Sequence, residues 1–518
     1  MTVTRFIKIW IIISLLSVSC SSYRNQDVRD DGKISVQFVQ LNDVYEIAPL
    51  EGGKTGGMAR VATIVDSLRQ VNPNTLVFMA GDFLNPSLLG TLKIKGERIR
   101  GRQMVEVMNA INFDLVAFGN HEFDLKYEDL QKRLNESVFP YLAGNVLYHQ
   151  QDGDIPFYKI KNGQRISIPK TRIFHLKDSD GTQINLGFFS ETVDSNQKDY
   201  VRYIDPYKQA KTDIEQLKET GVDIIIGLTH LNKEQDLEIL RQNPEIPLIM
   251  GGHEHYNMLL TATTGGKVAK ADANARTVYL HTLIFDKKKN DVKIHSQLIP
   301  VTSQIKSDEQ VGAIVEKWQK ILESSVKKVA DKPESVVLKT KEPLDAREKS
   351  IRHRQTNFGQ LVTAAMLSAS QKNAVAAIVN SGSIRIDDQL SGELVALDFF
   401  RALPFGGSIY DVQIKGNLLI QVLNYSENHK GKGSYLQRSK NITLSSDGKW
   451  RINNKPVQKG SIYNIMVSDY LMKGYDIPVL IEKSAEIIAV DKPIDEKDIR
   501  KDIRKSIIFY LKSLKNQL

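Results

Sequence analysis

Residues 113–124 read FDLVAFGNHEFD, an apolar run that ends abruptly in glycine, asparagine, histidine and two carboxylates. The same arrangement recurs four times, and polar side chains end the apolar runs in LNDVYE (41–46), MAGDF (79–83), GLTH (227–230) and GGHEH (251–255). A side chain directly after a buried strand enters the loop beyond that strand, where the ligand sites of layered α/β domains cluster. Five such segments together predict a centre that binds a pair of metal ions.

The periodicity around these segments predicts an α/β fold. The apolar runs TLVFMA, FDLVAF, VDIIIG and IPLIMG indicate strands buried on both faces. Between them lie amphipathic segments of helical length, ARVATIVDSLRQVN, DPYKQAKTDIEQLKETG and KEQDLEILRQNP, and the first two stop near the helix terminators Pro73 and Gly221. The stretch YLHTLIFDKKKNDVKIHSQLIPV predicts a closing β-hairpin.

The length of 518 residues exceeds what one hydrophobic core holds, so we expect several domains. The first α/β domain is predicted over 34–306, and a linker with a helix over 308–330 fills 307–345. A second α/β domain is predicted over 346–518, and its last segment, DEKDIRKDIRKSIIFYLKSLK, is expected to be a docked helix.

The first twenty residues have the outline of a signal peptide. Arg5 and Lys8 precede an apolar run that ends at Leu16, and small residues lead to the single cysteine, Cys20. This end resembles a bacterial lipobox, although Leu16 stands one place further from the cysteine than usual. The resemblance implies lipidation of Cys20, a polar tether over 21–33 and a periplasmic or cell-surface lipoprotein held to a membrane. The alternative is a soluble exported protein that is cleaved elsewhere.

The formal charge of +9 is spread among acidic residues, which favours a mixed solvated surface over a nucleic-acid interface. A modest positive charge is still compatible with anionic substrates.

Imidazole donors suit zinc, iron or manganese, whereas oxygen donors suit harder ions. Two ions about 3.5–4 Å apart, bridged by one carboxylate, activate water and clamp a phosphoryl group. Asp82 is the candidate bridge because it ends a central strand.

The order of the five segments, with GNHEFD followed by GGHEH, resembles the calcineurin-like metallophosphoesterases and their 5′-nucleotidase branch in particular. The resemblance implies a four-layer α/β/β/α phosphoesterase domain followed by a nucleotide-binding α/β domain. It also implies hydrolysis of nucleoside monophosphates to nucleoside and phosphate by metal-activated water, with Mn, Zn, Co, Mg or Fe as the divalent ions.

Residue by residue, the resemblance implies two metal sites that share Asp82. One site has Asp43 and His255 as its other ligands, and the second has Asn120, His230 and His253. His121 resembles the catalytic histidine of the family, and Asp124 resembles the carboxylate that orients it, since such a carboxylate holds a histidine in one tautomer.

The first segment departs from the family pattern, because Tyr45 stands where a histidine ligand is usual. Three outcomes are open: a tyrosine-ligated site, a weakened site that is filled only with substrate, or a lost site. We favour the weakened site because every other ligand of the family is present.

The second domain carries further segments of the resemblance. Arg352 in IRHRQTNFGQL and Arg385 in NSGSIR match arginines that bind phosphate or substrate, for which a guanidinium fork is well suited. Phe405 in LPFGG and Tyr470 in YLMKGYD match the aromatic residues that stack on the base, and Asp476 lies at a nearby acidic position.

Three places in this domain differ from the family, and in one of them the usual GGDG-like turn is reduced to Lys473-Gly474-Tyr475-Asp476. Gly407 replaces an asparagine, and Glu348 stands where a third arginine is usual. These changes remove hydrogen-bonding groups around the base and sugar, so substrate alternatives stay open: nucleotide sugars, cyclic nucleotides or sulfur-oxyacid esters. A third alternative is a degenerate lipoprotein that binds nucleotides without hydrolysing them.

Overall fold

The structure is a computed structural model that describes residues 30–327, 335–386 and 388–515. The predicted signal peptide, Cys20 and most of the predicted tether lie outside the described residues. Across those described ranges, we find no helix that combines the length and the apolar character needed to cross a membrane.

The first domain is built on two six-stranded mixed sheets. In the first sheet, strand Lys33–Leu41 pairs in parallel with Thr75–Ala80 and in antiparallel fashion with Thr277–Asp286. The predicted closing hairpin is confirmed, because Thr277–Asp286 also pairs with Asp291–Pro300. The strands follow the spatial order Asp291–Pro300, Thr277–Asp286, Lys33–Leu41, Thr75–Ala80, Leu115–Ala117 and Tyr141–Leu142.

The second sheet repeats this arrangement with a parallel centre. Strand Ile224–Thr229 pairs in parallel with Gln183–Phe189 on one side and with Leu248–Gly251 on the other. The strands follow the spatial order Thr171–Lys177, Gln183–Phe189, Ile224–Thr229, Leu248–Gly251, Lys267–Lys270 and Met258–Thr261.

Apolar side chains from both sheets form one core, in which Phe38 and Phe78 of the first sheet meet Phe188 of the second. Helices Met58–Val71, Arg102–Ile111 and Glu309–Lys327 cover the outer face of the first sheet. Helices Pro206–Glu219 and Lys233–Gln242 cover the outer face of the second. The predicted four-layer α/β/β/α order is therefore confirmed.

The helix ends follow local sequence signals. Pro206 occupies the first turn of its helix, where a missing N–H costs nothing, and the Asp205 side chain accepts a hydrogen bond from the backbone N–H of Lys208. The same helix ends before Gly221, whose φ of 73° lies in the left-handed region that glycine adopts without steric strain.

Shorter elements complete the first domain. The helices are Leu88–Thr91 and Tyr127–Glu136, with 3₁₀ turns at Glu51–Gly53 and His121–Asp124. The remaining strands are Lys93–Ile94, Glu97–Arg98, Val146–Gln150, Gly153–Ile155, Tyr158–Lys161, Gln164–Ser167 and Val201–Tyr203.

The second domain has a five-stranded sheet in the order Leu436–Arg438, Ala376–Asn380, Ile462–Ser468, Ile409–Lys415 and Ile487–Asp491. Two smaller sheets are formed by Val336–Asp345 with Gln389–Val395, and by Ile442–Leu444, Trp450–Ile452 and Lys455–Pro456. The helices are Glu348–Ile351, Asn357–Ser368, Ala396–Ala402, Gly416–Glu427 and Ile503–Lys515, with 3₁₀ turns at Ser381–Ser383 and Ile499–Lys501.

Two segments differ from the sequence-based expectation. Residues 336–345, predicted as the end of the linker, form a strand that pairs with Gln389–Val395. The C-terminal helix begins only at Ile503, because Asp498 caps the backbone N–H of Arg500 and binds its guanidinium. Arg500 also reaches Asp411 at 2.9 Å and Asp491 at 2.6 Å, so the segment before Ile503 folds around a buried arginine.

Candidate metal centre

Three of the predicted ligands converge where three strands end. Asp43 follows Lys33–Leu41, Asp82 follows Thr75–Ala80, and His230 follows Ile224–Thr229. Each has a ligand atom within 4.8 Å of those of the other two. His230 Nε2 lies 3.1 Å from Asp82 Oδ2 and 3.8 Å from Asp43 Oδ1, and the exposure of all three residues is at most 1 %. The structure therefore brings donors from both sheets to one buried point.

The other predicted ligands border this cluster. His255 Nε2 lies 3.4 Å from Asp43 Oδ1, and the rings of His230 and His253 have centroids 5.4 Å apart. The backbone N–H of His121 donates to Asp82 Oδ1 at 2.7 Å, which brings the neighbouring Asn120 to the same place.

Two buried atoms of the cluster point to a cation. Asn120 Oδ1 is buried and forms no hydrogen bond among the described residues. His230 Nδ1 lies 2.7 Å from the Ala80 carbonyl oxygen and donates to it, so Nε2 is the ring nitrogen that faces the carboxylates. Nε2 itself lacks hydrogen-bond geometry to Asp82 despite the short distance. A buried amide oxygen and an imidazole nitrogen without hydrogen bonds, beside two carboxylates, fit a borderline divalent ion.

The backbone is strained at three of these positions. Asp43, Asp82 and His253 have φ values of 53°, 56° and 83°, in a region that costs a non-glycine residue about 1–3 kcal/mol. The loops also approach each other closely, since a Cβ on Gly119 would lie 2.1 Å from Asp82 Oδ1. Such strain concentrates at sites that hold side chains in fixed directions.

The pKa shifts report the concentrated negative charge. Burial opposes the charged form of His230, but the carboxylates of Asp82 and Asp43 outweigh it and raise its pKa to about 9. Burial and the nearby His230 charge lower the pKa of His253 to about 3. A proton and a metal ion compete for such imidazoles, so the same carboxylates that attract a proton attract a cation.

Tyr45 lies inside the cluster. Its hydroxyl oxygen lies 3.1 Å from His255 Nε2, 3.3 Å from Asp82 Oδ2 and 3.5 Å from Asp43 Oδ1. Burial, followed by the charges of Asp82 and Asp43, raises the pKa of the phenol well above its ordinary value. A neutral phenol therefore donates a hydrogen bond among the atoms of the first predicted metal site.

The predicted catalytic pair is in contact. His121 Nδ1 lies 2.7 Å from Asp124 Oδ2, and Asp124 also accepts hydrogen bonds from Asn85 at 3.0 Å and Asn196 at 2.8 Å. These contacts fix the ring of His121 with Nδ1 as the donor to Asp124. From the second domain, Arg385 Nη2 reaches to 3.9 Å from the same carboxylate.

Sequence reasoning missed Glu122, which organises the loops of the centre. Its carboxylate is fully buried and accepts hydrogen bonds from four backbone N–H groups, those of Asp82, Phe83, Leu84 and Gly119, at 2.7–3.0 Å. The only available signal was its place inside GNHEFD, between the two residues of the predicted catalytic pair.

A buried lysine supports the loop that carries His253 and His255, and it was also missed. Lys270 Nζ is fully buried and contacts Asp236 at 2.8 Å, the Leu231 carbonyl at 2.6 Å and Glu254 within the GGHEH segment. Lys270 ends a strand without a motif around it, so its role follows only from the fold.

A cavity of about 450 Å³ lies between the domains and adjoins the centre. Asp124 of the catalytic pair lines this cavity. All five predicted substrate residues line it as well, namely Arg352, Arg385, Phe405, Tyr470 and Asp476. Tyr470 donates to Asp476 at 3.1 Å, and Asn380 donates to the other oxygen of that carboxylate at 2.7 Å. Arg100 and Asn85, which we did not predict, line the first-domain side.

Glu348, at a position where the resemblance implies arginine, lies between the two predicted phosphate-binding arginines. Its carboxylate is 2.6 Å from Arg352 Nη1 and 3.9 Å from Arg385 Nη1. The carboxylate of Glu348 therefore neutralises part of the positive charge that these two arginines bring to the cavity.

Comparison with known proteins covers both domains. The sequence profile of the calcineurin-like phosphoesterases matches residues 36–257, and that of the 5′-nucleotidase C-terminal domain matches residues 336–480. The chain is 28% identical to human 5′-nucleotidase over 422 residues, which cover 74% of this chain and 68% of the relative. It is 26% identical to snake venom 5′-nucleotidase from Crotalus adamanteus over 505 residues, which cover 88% and 80%. A 5′-nucleotidase precursor from Thermus thermophilus has a similar fold, with a TM-score of 0.70 at 20% identity over 93% of this chain and 97% of that one.

Proposed function

Because this chain belongs to the calcineurin-like metallophosphoesterases of the 5′-nucleotidase type, we propose that it hydrolyses nucleoside monophosphates to nucleoside and inorganic phosphate. One observation carries the proposal: the catalytic-pair carboxylate Asp124 and the five predicted substrate residues line the same cavity. A nucleoside held in the second domain would thereby place its phosphate beside the centre of the first.

Two divalent metal ions are part of this proposal. Asp43, Asp82 and His255 would hold one ion, and Asp82, Asn120, His230 and His253 would hold the other. When bound, the ions would supply Lewis acidity and positive charge at the phosphoryl group. The mixed oxygen and imidazole donors favour Mn, Zn, Co or Fe, and Mg remains a candidate.

The protein's own residues position and neutralise the substrate. Asp124 holds His121 with Nδ1 protonated, and the other ring nitrogen is then directed to the phosphoryl group or the leaving oxygen. Arg385 adds a guanidinium close to Asp124, and such a fork suits phosphate oxygens. Phe405 and Tyr470 offer aromatic faces to the base, and their exposures of 50% and 39% leave those faces accessible.

Tyr45 weakens the first metal site in this proposal, since its hydroxyl lies among the atoms of Asp43, Asp82 and His255. Histidine at this position would replace a neutral phenol with a good ligand. We expect Tyr45→His to raise the metal content measured by elemental analysis toward two ions per chain, and Tyr45→Phe to leave one ion. Equal content in all three proteins would argue against a weakened site.

A second cavity favours a larger phosphoester as an alternative substrate. Its volume is about 390 Å³, and it borders His253 and His255. It shares Arg352 with the cavity of about 450 Å³ between the domains, here called the nucleotide cavity. Its wall includes Lys349, whose ammonium lies 4.6 Å from the centre of the Tyr256 ring. A nucleotide sugar would place an additional group there, whereas a nucleoside monophosphate would leave this space to water.

We further propose export and lipidation at Cys20, with anchoring to a membrane. The support is the basic and apolar pattern of residues 1–20 in the sequence, together with the similarity to an enzyme of snake venom. Fractionation of cells that express the wild type or Cys20→Ala tests this, since the variant is expected to leave the membrane fraction.

The activity is tested by phosphate release from nucleoside monophosphates, nucleotide sugars and cyclic nucleotides with each candidate metal. The double variant Asn120→Ala/His121→Ala is expected to abolish release from every substrate. Undiminished release by this variant, or nucleotide binding by wild type without release under any metal, would overturn the assignment.

A further inference from the structure

Two acidic side chains are buried outside the metal centre, where helix Pro206–Glu219 packs on the second sheet. Glu191 lies just beyond strand Gln183–Phe189 and is fully buried, and Asp213 lies on the helix with an exposure of 1 %. The apolar residues around them, among them Phe189 and Ile214, belong to the core between helix and sheet. Carboxylates are rarely found in such a place without a partner.

Three of the four carboxylate oxygens have no hydrogen-bond partner among the described residues. These are both Oε atoms of Glu191 and Oδ2 of Asp213, which are buried and accept no hydrogen bond from a described residue. The fourth oxygen, Asp213 Oδ1, accepts from Gln209 Nε2 at 2.7 Å. A buried polar atom without a partner costs about 1–3 kcal/mol, and more when it is charged. The arrangement therefore calls for a ligand that satisfies several oxygens together.

The charges around the two carboxylates do not balance. Lys170 is the cation that acts on both, and its ammonium donates to Gln209 Oε1 at 3.1 Å. Asp205, at the start of the same helix, adds further negative charge near Glu191. Glu191 thus has one lysine and two further carboxylates among the charges that act on it.

The surrounding backbone presents further oxygen. A Cβ on Gly144 would lie 1.7 Å from the Ser190 carbonyl oxygen and 3.2 Å from Glu191 Oε1, so both oxygens border the same backbone segment. Glycine is needed at 144 because this approach leaves no room for a side chain. The atoms of Glu191, Asp213 and Ser190 named above are oxygens, the ligands that hard cations prefer.

We propose that Glu191 and Asp213 bind a hard divalent cation, calcium or magnesium, at a site separate from the Asp43, Asp82 and His230 cluster. The cation would join helix Pro206–Glu219 to the segment that follows Gln183–Phe189. That segment supports a predicted ligand, because the backbone N–H of His230 donates to the Glu191 carbonyl at 2.7 Å. The site is structural, and neither Glu191 nor Asp213 lines the nucleotide cavity.

Metal analysis of the full chain tests this proposal independently of phosphatase activity. The protein is stripped with chelator, dialysed against calcium or magnesium and analysed for bound metal, and its thermal midpoint is measured with and without each ion. The comparison includes Asp82→Asn, which disrupts the catalytic centre, and Glu191→Gln, which keeps the size but removes the charge. Glu215→Gln, on an exposed position of the same helix, is the matched control.

We expect wild type, Asp82→Asn and Glu215→Gln to bind one calcium or magnesium ion that Glu191→Gln lacks, and we expect this ion to raise their thermal midpoints beyond the rise that the same metal produces in Glu191→Gln. Asp213→Asn provides the same comparison if Glu191→Gln does not fold. Equal binding by wild type and both carboxamide variants overturns the proposal. So does a wild type without a tight calcium or magnesium ion, because the two acids are then protonated and hydrated by internal water.

Discussion

Asp43, Asp82 and His230 of the metal centre are buried and held by hydrogen bonds, whereas the aromatic residues of the nucleotide cavity are half-exposed. Asp82 has an exposure of 1 % and is held by the backbone N–H of His121, but Phe405 is 50 % exposed. Chemistry at phosphorus requires donors in fixed positions, since small displacements weaken catalysis strongly. A base can stack on any accessible aromatic face. Substitutions in the first region should therefore change kcat and stability, and those in the second should change KM.

The largest effect is expected at the catalytic pair. His121→Ala should lower kcat by roughly 10²–10⁴-fold, the usual contribution of a positioned acid–base or charge-stabilising histidine. The chain offers a matched control, because His149 forms a similar pair with Asp154 at 2.6 Å on the surface. His149→Ala should leave kcat unchanged. Similar losses in both variants would show that the effect reflects general instability.

The next effect concerns the buried lysine behind the GGHEH loop. Lys270→Met leaves Asp236 buried without its cation, so the free energy of unfolding should fall by about 3–5 kcal/mol. Lys320 pairs with Glu316 at 2.7 Å on an exposed face, and Lys320→Met should leave the free energy of unfolding close to that of wild type. Urea unfolding followed by circular dichroism measures both. A small loss at Lys270 would mean that the loop relaxes to let water reach Asp236.

These supporting residues mark the limit of what the sequence predicts. Asp82 and His230 were predictable because each follows an apolar run whose strand end fixes its direction. Lys270 was not, since its partners lie 16–39 residues away and meet it only in the folded sheet. Glu191 carries no motif, and its burial depends on the packing of a helix that the sequence predicts only as amphipathic.

The second domain shows the same limit. The predicted substrate residues converge on one cavity, but the start of the C-terminal helix was misplaced. Its charged pattern, DEKDIRKDIRK, has helical composition, yet Arg500 is buried among Asp411, Asp491 and Asp498. A tertiary ion cluster of this kind overrides local helix propensity, and no window of sequence contains all its members.

A third prediction concerns Glu122, whose carboxylate holds the loops of the metal centre in place and should therefore affect the affinity for metal. In Glu122→Gln, an NH₂ group would replace one oxygen that now accepts from backbone donors, so two of these N–H groups would face another donor. We expect a 10–100-fold loss of metal affinity in a chelator competition assay, roughly the usual effect of removing support behind a ligand. Glu128→Gln, on the exposed face of the next helix, should retain wild-type affinity. A Glu122→Gln protein with unchanged affinity would show that the loops keep their positions without this carboxylate.

The smallest effect is expected in the nucleotide cavity. Tyr470→Ala removes a stacking face worth about 1–3 kcal/mol, so KM for a nucleoside monophosphate should rise roughly 5–150-fold while kcat stays close to wild type. Tyr470→Phe keeps the ring and loses only the hydrogen bond to Asp476, so its KM should rise far less. Phe509, 53 % exposed on the C-terminal helix and outside the cavity wall, is the control, and Phe509→Ala should leave both constants unchanged. If Tyr470→Ala instead lowers kcat with KM unchanged, the ring positions the phosphate for reaction. Tyr470 would then behave like a residue of the metal centre, and the expected difference between the two regions would not hold for it.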